Sequence, residues 1–132
     1  MKYTVLKDQY QVKLSELSKQ VGLFWAFNEN QFNEGKKENP TTGKYTSIGM
    51  GGYLPSSNVN EYLKGLKTLD KWYKEAIKQV KANEAILYEL NNHECFYTGD
   101  ITDALDVLSD SYTKEQVQKV YSDNREKANK YL

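Results

Sequence analysis

Apolar residues recur at helical spacing through most of the chain and close up into short unspaced runs in its first third. Leu6, Tyr10, Leu14, Leu17 and Val21 follow one another at steps of three or four, which places them on one face of a helix over residues 4–21. Gly22 stands where a left-handed residue ends such a helix. Leu23-Phe24-Trp25-Ala26-Phe27 is too short for a buried helix and reads as a strand covered on both faces. Asn28 with Gln31 forms a capping pair for a short helix to about residue 37, with Phe32 inward and Gly35 helping to end it. Residues 38–43, with Pro40 and Gly43, read as a loop, and 44–48 as a second strand pairing with the first. Gly49-Met50-Gly51-Gly52 is a tight connection, after which Tyr53 and Leu54 extend or end the sheet.

The longest stripe, Tyr62, Leu66, Leu69, Tyr73, Ile77 and Val80, predicts a helix over 59–80. Asn58 with Glu61, or Ser57 with Asn60, would cap its start. Ile86, Leu87 and Leu90 mark a further helix over 85–92, which either continues the long one or bends away near Asn83. Asp100 caps a short helix bearing Ile101, Ala104, Leu105 and Leu108, and Thr113 with Gln116 caps another bearing Val117, Val120 and Tyr121. The pattern predicts an α+β fold, a predominantly helical single domain over 1–132 with a small two- or three-stranded antiparallel sheet. Within it fall an N-terminal helix (1–22), the sheet with a short helix (23–54), a helical part (55–122) and a polar, frayed tail (123–132).

Composition narrows the function classes. Lys+Arg and Asp+Glu are both 18, so the formal net charge is zero, whereas dedicated nucleic-acid binders carry a basic excess. Arg125 is the only arginine, which removes most bidentate readout of guanine. The single cysteine, Cys95, rules out an internal disulfide framework and any multi-cysteine zinc site. No apolar run reaches membrane-spanning length and the N-terminus lacks a signal-peptide core, so a cytoplasmic protein is expected. Eleven tyrosines suit either a binding surface or the edges of a core.

Candidate chemistry lies in a few places. Asn91-Asn92-His93-Glu94-Cys95 crowds reactive side chains, with Tyr97 close by. Cys95 beside His93 suggests a thiol and its base, and His93, Glu94 and Cys95 suggest metal ligands. Adjacent residues rarely aim at one atom, and His93 has no second imidazole to complete a site. A helix-ending role for Asn92 or His93 is the simpler alternative. No catalytic residue, metal or cofactor is therefore assigned. The Gly49–Gly52 run lacks the Lys-Ser/Thr of a phosphate-binding loop and reads as a turn. Lys64, Lys67, Lys71, Lys74, Lys78 and Lys81 step by three and four and gather on a face turned away from the apolar stripe. They would form a basic ridge along about 25 Å of helix, suited to a phosphate backbone or an acidic protein surface. An ordinary solvated helix face is the alternative. Asp100, Asp103, Asp106, Asp110 and Asp123 balance the ridge with acid in the C-terminal part.

Phe24-Trp25-Ala26-Phe27-Asn28-Glu29-Asn30-Gln31-Phe32-Asn33-Glu34-Gly35, then Gly51-Gly52-Tyr53-Leu54-Pro55, then the run from Leu87 through Asn91-Asn92-His93-Glu94-Cys95 to Asp100, together resemble a family of small uncharacterised proteins from phages and mobile elements of the Bacteroidetes. The likeness covers about residues 23–121, and no catalytic residue comes with it. What it implies is an anti-CRISPR protein, an inhibitor of a type VI-B RNA-guided RNA nuclease, with the host CRISPR effector nuclease and/or its guide RNA as partner. A small nucleic-acid-binding regulator and an enzyme using His93, Glu94 and Cys95 remain the alternatives.

Overall fold

The first helix forms where the apolar spacing predicts it. It is α1, Tyr3–Val21, and Gly22 ends it at φ 75°, a left-handed conformation that glycine adopts without a Cβ clash. This computed structural model describes residues 1–129, with side chains through Arg125. The elements that follow are β1 (Phe24–Trp25), α2 (Glu29–Glu38), β2 (Tyr45–Gly49), β3 (Gly52–Pro55), α3 (Val59–Ala76), α4 (Ala82–Asn92), α5 (Cys95–Thr98), α6 (Thr102–Leu108) and α7 (Lys114–Asn129). The architecture is α+β, mostly helical, with a small three-stranded antiparallel sheet. The chain divides into two compact units, Asp8–Tyr73 and Met1–Lys7 with the chain from Lys74 onward.

In the first unit the strand order is β1-β3-β2, both pairings antiparallel. The first strand therefore pairs with the third, not with the second as the order along the chain suggested. β3 is the centre because it alone carries partners on both sides: Phe24 and Ser47 both lie opposite Tyr53. One face of the sheet presents Phe24, Tyr45 and Tyr53 to Phe32 of α2, with ring centroids 4.9 to 6.0 Å apart. Gly35 is buried in the middle of α2 and does not end it, a correction with a steric cause. A Cβ there would lie 2.1 Å from Phe24 Cδ2. Asn28 Oδ1 accepts from Gln31 N at 2.8 Å, and Gln31 Oε1 accepts from Phe27 N at 2.8 Å, closing the predicted cap.

The first strand is not covered on both faces. It is two residues long at a sheet edge, so Phe24 is buried while Trp25 is 55% exposed. Asn58 does not cap α3; its amide instead donates to Val21 O at 2.9 Å, tying the start of α3 to the end of α1. Farther along, Leu17 packs on Gly65, where a Cβ would lie 2.3 Å from Leu17 Cδ1.

α3 ends at Ala76 rather than near Val80. A single 3-10 turn, Ile77–Gln79, follows, and Val80 is extended at φ −96°, ψ 139°. Ala76, Ile77 and Val80 are all buried, so the apolar stripe continues although the helix does not.

In the second unit α4, α5, α6 and α7 surround a core that includes Ile86, Leu90, Cys95, Ala104, Leu108 and Val117. The first turn of α1 belongs to this unit, with Tyr3 and Leu6 buried and the Tyr3 N–H donating to the Glu84 carboxylate of α4. Gln116 N donates to Thr113 Oγ1 at 3.1 Å and Thr113 N to Gln116 Oε1 at 2.8 Å, the predicted cap of α7. α7 then runs on to Asn129, where a frayed tail from residue 123 was expected. Lys119 and Asp123 pair at 2.7 Å one turn apart, and Asn124 Nδ2 donates to Val120 O. Residues 130–132 of that tail lie outside the described residues. No helix among the described residues is long and apolar enough to cross a membrane.

Candidate functional site

The His93 segment is built by one backbone turn. His93 is the C-cap of α4, its N–H donating to Glu89 O at 3.0 Å, and Glu94 at φ 55° redirects the chain into α5. The turn sends neighbouring side chains apart: His93 toward Glu89, Cys95 into the core, Glu94 and Tyr97 into solvent. The three side chains of a Cys–His or metal site are thus not brought together. Among the described residues no three His, Cys, Asp or Glu side chains converge to hold a metal.

Burial pushes the Cys95 thiol above its ordinary value, with Asp100 and Asp103 adding to the rise and a backbone hydrogen bond at Ala104 opposing it. The native thiol should therefore resist iodoacetamide at pH 8, while protein unfolded in urea reacts fully. A raised thiol pKa contributes stability below the unfolded value of about 8.5 and loses it as pH climbs through the folded one. The melting temperature should decline over that alkaline window in wild type, and less in Cys95→Ala. Rapid alkylation of the native protein would instead restore a reactive-thiol reading.

What sequence reasoning missed here is Glu89. Its carboxylate is fully buried, with Lys7 Nζ 2.9 Å from Oε1 and His93 Nε2 3.9 Å from Oε2. Oε2 and Nε2 are both buried without a hydrogen-bond partner among the described residues. Lys7 also lies over the Tyr3 and Tyr88 rings, 5.5 and 5.1 Å from their centroids. The available signal was a carboxylate within the helical arc of Ala85, Ile86 and Leu90, one turn ahead of the only histidine.

The lysine series divides between the two units. Lys64, Lys67 and Lys71 sit on α3 in the first unit, exposed and outside salt-bridge distance of any carboxylate among the described residues. Lys74, Lys78 and Lys81 belong to the second. Lys78 pairs with Glu75 at 3.0 Å, and Lys81 precedes α4 in extended backbone. Since α3 stops at Ala76, the helical phase that aligns the lysines holds only through Lys74, or about 15 Å. The ridge predicted along one continuous helix is shorter than its sequence spacing implies.

Beside Lys64 a groove of about 460 Å³ runs between α1 and α3. Lys13, Lys64, Leu17, Gly65 and Trp72 are among its lining residues. Lys13 Nζ lies 4.9 Å from the centroid of the half-buried Trp72 ring. Sequence reasoning did not find this groove, because Lys13 and Trp72 are 59 positions apart.

Against known proteins, the chain matches a family of unknown function (DUF7659) over residues 6–127. The chain belongs to the DUF7659 family. No curated protein and no solved structure matches it. The DUF7659 match spans the three free lysines of α3, the groove beside them and the Glu89–His93 cluster. This DUF7659 chain also exposes an apolar tip in its first unit. Gly49, Met50 and Gly51 take φ of 89°, 52° and 87°, leaving Met50 92% exposed. Trp25 and Ile48 lie against Gly52 and Phe27 against Gly51, all three side chains exposed.

Proposed function

We propose that this DUF7659 protein acts by binding and that its partner is RNA held in a ribonucleoprotein. The expected setting is inhibition of a type VI-B RNA-guided RNA nuclease, in host-cell cytoplasm, with contact to the guide RNA. The observation that carries this reading is the exposed trio Lys64, Lys67 and Lys71, free of carboxylate partners among the described residues. Unpaired lysines on one helix face attract phosphates and release their counterions. The channel wall of an RNA nuclease is itself basic and would repel them, so the RNA is the better contact. The exposed tip of Trp25, Phe27 and Met50 supports a binding role as well, because clustered exposed apolar side chains suit contact with another molecule.

The test is capture of the nuclease–guide-RNA complex from host lysate by tagged protein, with and without ribonuclease. Capture should be lost on ribonuclease treatment and should weaken with salt. Three phosphate contacts give a log–log slope of about −2, or roughly a fifteen-fold loss between 50 and 200 mM salt. The variant Lys64→Glu/Lys67→Glu/Lys71→Glu should melt like wild type, since all three side chains are exposed, yet lose capture and inhibition at least tenfold. A folded triple variant that still inhibits would overturn the role of this face. Recovery of bulk RNA in place of one complex would favour the nucleic-acid-binding regulator.

A further inference from the structure

The groove between α1 and α3 differs from the lysine face beside it in one respect: it offers a flat ring. Two lysines, Lys13 and Lys64, line it against one carboxylate, Glu61, which already accepts from Gln20 Nε2 at 2.8 Å. Its floor is apolar, made by Leu17 and Leu69 and kept low by Gly65, where the absence of a side chain lets Leu17 lie on the helix backbone. The volume, about 460 Å³, falls within the range of small-ligand clefts. Of the three lysines that have no carboxylate partner among the described residues, Lys64 lines the groove with Trp72, and Lys67 and Lys71 continue from Lys64 along the same helix outside it.

We infer that this groove is a base-binding subsite for single-stranded RNA. One base enters against the Trp72 indole while the adjoining phosphates lie on Lys64, Lys67 and Lys71. The inference rests on the reading of α3 as an RNA-binding face and adds to it the place where a base is held. Base–aromatic stacking beside a cationic track is the recurrent way to hold single strands without reading sequence. Lys13 lies over the indole; a base stacking there takes its place, and the displaced ammonium turns to a phosphate. An acidic peptide would satisfy the lysines equally well but has no obligatory planar group for the indole, which is why the occupant assigned is a nucleic acid.

The chain has two tryptophans, Trp25 and Trp72, so Trp25→Phe leaves Trp72 as the sole tryptophan reporter in the 132-residue chain. A short oligoadenylate is the probe, and inorganic polyphosphate is the base-free control. Oligoadenylate should quench Trp72 emission to a plateau, and polyphosphate should bind without quenching. Trp72→Leu should weaken oligoadenylate binding about ten- to hundredfold and leave polyphosphate binding unchanged; Trp72→Phe, which keeps a ring, should retain most of the affinity. Thermal melts establish that each variant is folded. Oligoadenylate that binds without quenching, and equally well to folded Trp72→Leu, overturns the groove while the lysine face stands. Failure of both probes to bind overturns the lysine face and the groove together.

Discussion

Gly35→Ala should lower stability by about 2 kcal/mol, measured as a shift in urea midpoint at constant slope. Glycine-to-alanine exchange inside a helix ordinarily favours the folded state by up to about 1 kcal/mol. Here the added Cβ would lie 2.1 and 2.3 Å from two carbons of the Phe24 ring. That ring has little room to move, being packed against Phe32, Tyr45 and Tyr53. Overpacking of this kind outweighs the helix term. Gly65→Ala is the control with similar apparent crowding, 2.3 Å from Leu17 Cδ1. The crowding atoms there, Cδ1 and Cδ2, are the end of a flexible, half-buried side chain at the groove floor, so rotation relieves them and the change should be near neutral. Equal stability of Gly35→Ala and wild type would mean that the aromatic cluster yields.

The second large effect concerns the buried carboxylate. Lys7→Met should destabilise by about 3 kcal/mol, because Glu89 has no exposure and, among the described residues, then has only His93 near its carboxylate, 3.9 Å away. Glu89→Leu should fall within about 1 kcal/mol of wild type. It exchanges a buried charge for an apolar side chain, and Lys7, one-third exposed, can regain water. The double variant should be close to Glu89→Leu alone, a non-additivity that measures the pair directly. The same proteins separate structure from function. If Glu89→Leu keeps its stability and its capture of the nuclease complex, the cluster serves the fold. If it keeps stability and loses capture, the Glu89–His93 pair joins the site.

These results bear on why some features were legible and others were not. The caps Asn28–Gln31 and Thr113–Gln116 and the Gly22 terminus act within three or four residues. Local spacing therefore placed them, and with them α1, α2 and α7. The same holds for the phase of Lys64, Lys67 and Lys71, since a helix aligns residues three and four apart wherever it lies. The α+β class was legible because periodicity changes between helices and strands.

Tertiary contacts decided the rest. The expected pairing of the first strand with the second failed because β3, joined to β2 by a local hairpin, takes β1 as its other neighbour through pairs far apart along the chain, Phe24 with Tyr53 and Trp25 with Gly52. Gly35 reads as a helix breaker until the Phe24 ring is set upon it, and the stripe through Val80 fits one helix until the chain tightens into a 3-10 turn after Ala76 and extends at Val80. The reactive look of His93, Glu94 and Cys95 dissolved in a single left-handed residue, Glu94, that points their side chains three ways. Glu89 with Lys7, and Trp72 with Lys13, were invisible for the opposite reason. Their partners come from another helix, and only folding gives a side chain neighbours that its own segment does not contain.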